Sequence, residues 1–190
     1  MRPKLCNVAV LATTATVFML LAAMTVVSSE RVAGKISEDR IRMIGGFVAA
    51  DDDFSVTVAG VTHSWQVAEP GRMYHVLAWD LFLAPRPALN IDLSRRSLTI
   101  ADCKVISAVC NAAVLQLKDG CVSSEGLAYL LAMPSLQIVD LRGVWISRQD
   151  VKALIRNKSV RVVIVTAGLA DADGLRTLAF DKLNCEVISE

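Results

Sequence analysis

A segment of 24 residues occurs four times in succession in the second half of this chain. The copies begin at Ala88, Ala112, Leu136 and Val160. Five columns stay apolar or small in all copies: Ile91, Leu115, Val139, Val163; Leu93, Leu117, Leu141, Val165; Leu98, Val122, Ile146, Ala170; Cys103, Leu127, Val151, Leu175; Ile106, Leu130, Leu154, Leu178. A fixed period of this size is typical of a solenoid, whose units stack to bury a shared core.

Each copy has two halves with different apolar spacing. Val139 and Leu141 are two apart, which favours a strand, whereas Val151 and Leu154 are three apart, which favours a helix. Between the halves stands a column of residues that commonly begin helices: Thr99, Ser123, Ser147, Asp171. Acidic residues follow within three positions: Asp102, Glu125, Asp150, Asp173. The pattern predicts a repeat of strand, turn and capped helix.

The repeat resembles the leucine-rich repeat in its spacing L-x-x-L-x-L-x-x-x-x-L followed by L-x-x-L. DADGL at Asp171–Leu175 and SEGL at Ser124–Leu127 are similar to the 24-residue class found in short bacterial proteins. The chain departs from that class at the ninth position, where Thr or Asn is usual: Arg96, Gly120, Val144, Gly168. Lys182–Ile188 resembles the closing half-repeat. The resemblance implies an α/β leucine-rich repeat solenoid over 88–190, with short parallel strands and helices on the convex side.

The N-terminal segment has the composition of a membrane-inserting or export segment. Arg2 and Lys4 precede Leu5–Ser29, which contains no charged residue and is long enough to cross a bilayer core. A transmembrane anchor is one interpretation. A cleaved signal is the other, because Val27-Ser28-Ser29 has small residues suited to cleavage. Both place the short basic end inside and predict that everything after Glu30 is exported.

The region between the apolar segment and the repeats is interpreted as an α+β cap that covers the open end of the solenoid. Ser37 predicts a helix start and Gly45-Gly46 its end. Phe54, Val56 and Val58 alternate with polar residues, which predicts an edge strand closed by Gly60, and 62–87 forms the rest of the cap. The expected division is therefore 1–29 membrane or signal segment, 30–87 cap and 88–190 repeat domain.

Several classes of chemistry find little support in the residues. Net charge is +1 and no run of Lys and Arg occurs, which argues against nucleic-acid binding. His63 and His75 lack metal-ligand spacing, and the acidic groups Asp51–Asp53 and Asp171–Gly174 are explained by a solvated turn and a helix cap. We therefore expect no enzymatic activity, no metal and no cofactor. The cysteines, which form no C-x-x-C pair, are expected to be mostly unpaired.

A partner surface is predicted on the strand side of the repeats, at positions between the buried columns and near the following turns. Its residues are Asp92, Gln116, Ile138, Asp140, Arg142, Trp145, Arg161, Val162 and Ile164. Trp and Arg are favoured at the centres of protein interfaces. The alternative is that Val162 and Ile164 are covered by the tail or are a scattered exposed pair.

The combined hypothesis is a membrane-tethered, exported recognition or scaffolding module, whose membrane contact is residues 5–29 and whose ligand is a protein or peptide. A structural envelope component without a defined ligand is the first alternative. An ectodomain enzyme with its active part in residues 46–87 is the second.

Overall fold

The computed structural model describes residues 35–50, 53–67, 88–109, 111–169 and 185–189. The described chain is α/β, as predicted, with a mostly parallel main sheet. In spatial order this sheet contains β1 (Phe47–Ala50), β4 (Leu89–Asp92), β6 (Ala112–Gln116), β8 (Ile138–Leu141), β9 (Val162–Val165) and β10 (Glu186–Ser189). Only the β1–β4 pair in this sheet is antiparallel. Two small sheets accompany it: β2 (Asp53–Val58) with β3 (Val61–Gln66), and β5 (Ser97–Leu98) with β7 (Cys121–Val122).

Residues of the first apolar column lie opposite one another on neighbouring strands. Leu115 pairs with Ile91 on one side and Val139 on the other, and Val163 pairs with Val139 and Val187. The first four of these side chains are completely buried in one core, against which Val187 packs. Because side chains alternate along a strand, the residues directly before and after each first-column residue face the other side of the sheet.

Helices line the core side of the sheet, each begun by a hydroxyl residue. They are α2 (Ile100–Ile106), α3 (Ser124–Leu131) and α4 (Arg148–Arg156). Thr99, Ser123 and Ser147 each accept a hydrogen bond from the backbone N–H three residues later, which confirms these three predicted caps. Gly126 permits the close approach of α2 and α3, because a Cβ there would lie 2.9 Å from Cys103 Sγ.

The turns after the strands also recur with the period of the sequence. Arg95, Asp119 and Gly143 have φ values of 59°, 54° and 72°, in the left-handed region. Backbone hydrogen bonds link these turns from one repeat to the next: Arg95 N donates to Lys118 O at 2.8 Å, and Asp119 N donates to Arg142 O at 2.7 Å. A Cβ on Gly143 would lie 3.0 Å from the backbone Cα of Asp119 and closer still to its carboxylate, so a larger residue at this φ is strained.

The N-terminal part contains the predicted helix and the predicted strand, together with a further strand that pairs with the repeats. Helix α1 covers residues 35–43 and is followed by Gly45 with φ 80°. The strand predicted at Phe54, Val56 and Val58 is confirmed as β2, which ends before Gly60, but it lies outside the main sheet, whose antiparallel edge is formed by residues 47–50. The reason is a tight turn at Ala59-Gly60, where both φ values are positive, which pairs β2 with β3 as a hairpin.

Several predictions fall outside the described residues. They concern Leu5–Ser29, residues 68–87 with His75, Asp51 and Asp52, Cys6 and Cys110, and the fourth helix start at Asp171. Within the described ranges, no helix combines the length and the apolar character needed to cross a bilayer.

Candidate interaction surface

The outer face of the main sheet is covered by the β2–β3 hairpin. Phe54, Val58 and Val67 are buried in a second apolar cluster whose sheet side is Val114, Ile138, Val162 and Ile164. The exposure expected for five predicted partner-binding residues was therefore wrong: Ile138 is 0% exposed, Asp140 1%, Arg142 5%, Val162 4% and Ile164 0%. The physical reason is that the hairpin is itself amphipathic, with one apolar face that packs on the sheet.

Polar contacts at three places hold the hairpin over the sheet. Arg142 Nη1 donates to the carbonyl of Thr57 at 3.2 Å. Arg161 Nη2 donates to the carbonyl of Gln66 at 3.3 Å. Trp65 Nε1 donates to Glu186 Oε2 on β10 at 3.0 Å. Two arginines chosen as partner-binding candidates thus contact this chain's own hairpin.

Asp140 and Arg142 form a buried ion pair beneath the hairpin, with 1% and 5% of each residue exposed. The guanidinium donates from Nη2 to Asp140 Oδ2 at 2.6 Å and from Nε to Oδ1 at 3.0 Å. The backbone N–H of Arg142 donates to the same Oδ1 at 3.1 Å. The sequence carried a signal for this pair, because opposite charges two positions apart at a strand end lie on one face.

Asp92 and Gln116 are half-buried and also make internal contacts. Asp92 Oδ1 accepts from the backbone N–H of Ser94 at 2.8 Å, which stabilises the turn after β4. Gln116 Nε2 donates to Asn90 Oδ1 on the neighbouring strand at 2.9 Å. Both side chains therefore have partners within the repeat domain.

Trp145 is the predicted partner-binding residue whose large apolar side chain stays in water, with 65% exposed. Its neighbours Val144 and Ile146 are 3% and 0% exposed, so the backbone on both sides is held by the core. The turn is held further where Gly143 N donates to Thr166 Oγ1 at 3.0 Å and Ile146 N donates to Leu169 O at 2.9 Å. A large aromatic side chain is therefore presented from an ordered turn.

The cysteines and His63 are the other side chains of the described ranges that were considered for chemistry. Cys103 is completely buried, and burial together with the charge of Asp102 raises the pKa of its thiol to about 11. Cys103 and Cys121 are free thiols. The His63 ring stacks on Trp65 with 5.7 Å between centroids. Among these described residues, no group of three or more His, Cys, Asp or Glu is positioned to hold a metal ion.

A contact that the sequence analysis missed fastens the N-terminal helix to the repeats. Arg40 on α1 donates from Nε to Asp102 Oδ1 at 2.6 Å and forms an ion pair with it. The other oxygen of Asp102 accepts from Thr99 N at 3.0 Å and Thr99 Oγ1 at 2.7 Å. Asp102 therefore completes the cap of α2 and links it to α1.

The Asp102 carboxyl is expected to make stability depend on pH. Burial raises its pKa, but hydrogen bonds from Thr99 and the Arg40 guanidinium outweigh burial, so the pKa lies below the ordinary value of 3.8. A carboxyl whose pKa is depressed in the folded state stabilises fully above 3.8, and this contribution disappears as pH falls through the folded pKa. Asp102→Asn should lower the free energy of unfolding near neutral pH by about 1 kcal/mol.

Urea unfolding of the wild type and Asp102→Asn near pH 7 and near pH 3 (about four units apart) checks this expectation. The difference in the free energy of unfolding between wild type and Asp102→Asn should be smaller at the lower pH. An equal difference at both pH values would show that the charge of Asp102 contributes nothing.

A comparison with known proteins finds no family model that matches this chain and no curated protein that matches it.

Proposed function

We propose that residues 88–190 form a leucine-rich repeat solenoid that acts as a recognition or scaffolding module for a protein partner. The repeat assignment is supported by the pairing of the first apolar column across four strands, with Leu115 and Val139 at its centre. It is also supported by hydroxyl caps that recur at Thr99, Ser123 and Ser147. Units of this kind bury their apolar faces only against their neighbours.

The observation that carries the recognition role is the exposure of Trp145 on an ordered turn. Exposed tryptophans on fixed backbone suit protein interfaces, because little conformational freedom is lost on binding and a large apolar area is buried. Ile138, Val162 and Ile164 are removed from the proposed contact surface, since the hairpin already covers them. The proposed surface is therefore the turn side of β8 rather than the outer sheet face.

The membrane tether and the exported location are the remaining parts of the proposal. They are supported by the charge-free stretch Leu5–Ser29 and by the basic residues Arg2 and Lys4 before it. The proposed topology is a single crossing, with the repeat domain on the exported side of the membrane.

Photo-crosslinking in the native membrane tests the recognition surface. A benzophenone amino acid placed at Trp145 is expected to give one discrete adduct, because the partner covers this turn. The same amino acid at Val61, which is 57% exposed at the end of the hairpin, serves as the matched control. Identical adduct patterns at the two positions, or no adduct at Trp145, would contradict the proposed surface.

A structural component without a defined ligand is the second candidate, and the position of the hairpin favours it. The hairpin occupies the outer sheet face with Phe54 and Val58, and this face is then part of the fold rather than a ligand site. The crosslinking comparison separates the two candidates, because a structural component has no reason to give a discrete adduct at Trp145.

A further inference from the structure

Three large apolar side chains near the N-terminal end of the described chain lie mostly in water. Ile36 is 56% exposed, Met43 76% and Phe47 66%. They fall within twelve consecutive residues of the sequence. Burying such side chains would be favourable, so their exposure points to a contact outside the folded domain.

The opposite side of α1 is fixed to the repeats. Ile41 is completely buried, and Ser37 Oγ donates to the carbonyl of Val105 on α2 at 2.6 Å. Ile36 and Met43 are seven positions apart, about two helical turns, so they share one face of the helix. This face has to stay on the surface because the buried contacts set the rotation of the helix.

Phe47, the third of these exposed side chains, follows the turn at Gly45 and begins β1. The next residue, Val48, packs against the main core, and alternate residues of a strand point to opposite sides. Phe47 therefore points away from the core that Val48 contacts.

The position of these side chains along the chain indicates what could cover them. The charge-free stretch Leu5–Ser29 ends six residues before Lys35, and six extended residues span about 20 Å at most. If that stretch lies in a bilayer, α1 is held within this distance of the bilayer boundary. Exposed Lys35 and Arg42 are direct neighbours of Ile36 and Met43, an arrangement that suits the headgroup layer.

Charge alone would not hold this surface on a membrane. Arg40 is engaged by Asp102, and the acidic Glu38 and Asp39 offset Lys35 and Arg42 in the same helix. The contact is therefore expected to depend on apolar burial and to need no anionic lipid.

We propose that Ile36, Met43 and Phe47 form a lipid-contact surface that lies at the headgroup–acyl boundary of a zwitterionic bilayer. This inference rests on the proposed membrane tether, whose stretch Leu5–Ser29 would occupy the same bilayer. The contact holds the first strands of the repeat sheet beside the membrane. Trp145 follows β8, which lies three strands away from β1 in the sheet.

Methionine oxidation of the full chain tests the contact, because oxidation rates follow the exposure of the thioether. The chain is placed in phosphatidylcholine nanodiscs, one copy per disc, and treated with peroxide. Peptide mass spectrometry then measures each methionine. Val61→Met supplies a reference methionine at a site that is 57% exposed, compared with 76% for Met43. Without a lipid contact Met43 oxidises faster than the reference; with it, Met43 oxidises at least about threefold slower.

Two native methionines report on the tether separately. Met19 and Met24 lie in the charge-free stretch, so their protection shows that this stretch is in the bilayer. Protection of both together with rapid oxidation of Met43 would overturn the lipid contact and leave the tether intact. Rapid oxidation of all three would overturn the tether and with it the lipid contact.

A double substitution and a second preparation, with two copies of the chain per disc, complete the experiment. Ile36→Ser with Phe47→Ser should raise the oxidation rate of Met43 in the discs by at least about threefold, because the apolar contact is lost. An unchanged rate would contradict the proposal. Protection of Met43 that occurs only in discs carrying two chains would assign the surface to a second copy and overturn the assignment to lipid.

Discussion

Replacement of Asp140 by alanine is expected to lower the free energy of unfolding by about 3–5 kcal/mol, the largest effect of any substitution considered. The carboxylate accepts hydrogen bonds from the Arg142 guanidinium and from its backbone N–H. Arg142 is 5% exposed under the hairpin, so the variant leaves a buried positive charge without its counter-ion. Urea unfolding of the full chain, followed by circular dichroism, measures the change.

A double variant provides the control for this effect. Asp140→Leu together with Arg142→Met removes both charges and keeps apolar volume beneath the hairpin, so most of the lost stability should return. The destabilisation caused by Asp140→Leu alone and by Arg142→Met alone should then add up to far more than that of the double variant, as expected for residues in direct contact. A double variant as unstable as Asp140→Ala would show that the loss comes from packing rather than from an unpaired charge.

Ile138→Ala is expected to destabilise the protein by about 2–5 kcal/mol, because a completely buried side chain is removed and a cavity remains. On the exposed partner surface that the sequence predicted, the same change at Ile138 would cost less than about 0.5 kcal/mol. The size of the effect in urea unfolding therefore decides between the covered and the uncovered sheet face.

Trp145→Ala is the matched control for Ile138→Ala. Its side chain is 65% exposed, and its removal should change the free energy of unfolding by no more than about 0.5 kcal/mol. A large loss at Trp145 combined with a small loss at Ile138 would reverse the assignment of the two residues and contradict the described placement of the hairpin.

The repeat was predictable because it is encoded locally. The column through Leu115 and Val139 marks the inner side of the strands, and Thr99, Ser123 and Ser147 mark the helix starts. Each of these signals can be read from residues that are close together in the sequence of one repeat, and each recurs in the next repeat. The coarse α/β class and the mostly parallel sheet follow from them.

The covered sheet face was not predictable in the same way. Its exposure depends on a hairpin about 50–110 residues earlier in the chain, and periodicity within the repeats contains no information about such a long-range contact. Two local signals pointed in this direction. Gly60 after the alternating stretch that ends at Val58 suits a hairpin turn, and the opposite charges of Asp140 and Arg142 suit an internal pair.

The exposure of Trp145 could not be distinguished from that of the other candidates by the sequence alone. Its residue type suggested an interface, but Arg142 and Ile138 were equally plausible from the sequence and both are buried. Only the position of the hairpin separates the exposed residue from the covered ones. The candidate surface is consequently smaller than the one first predicted and lies on the turns.

Methyl NOE spectroscopy of the full chain with labelled Ile, Leu and Val tests the central claim most directly. Neighbouring strands lie about 4.8 Å apart, so the account predicts NOEs from Leu115 to Ile91 and Val139, together with NOEs from the hairpin residue Val58 to the methyl groups of its cluster, among them Ile138 and Ile164. Absence of the first set would contradict the stacked repeats, and absence of the second would contradict the covered sheet face.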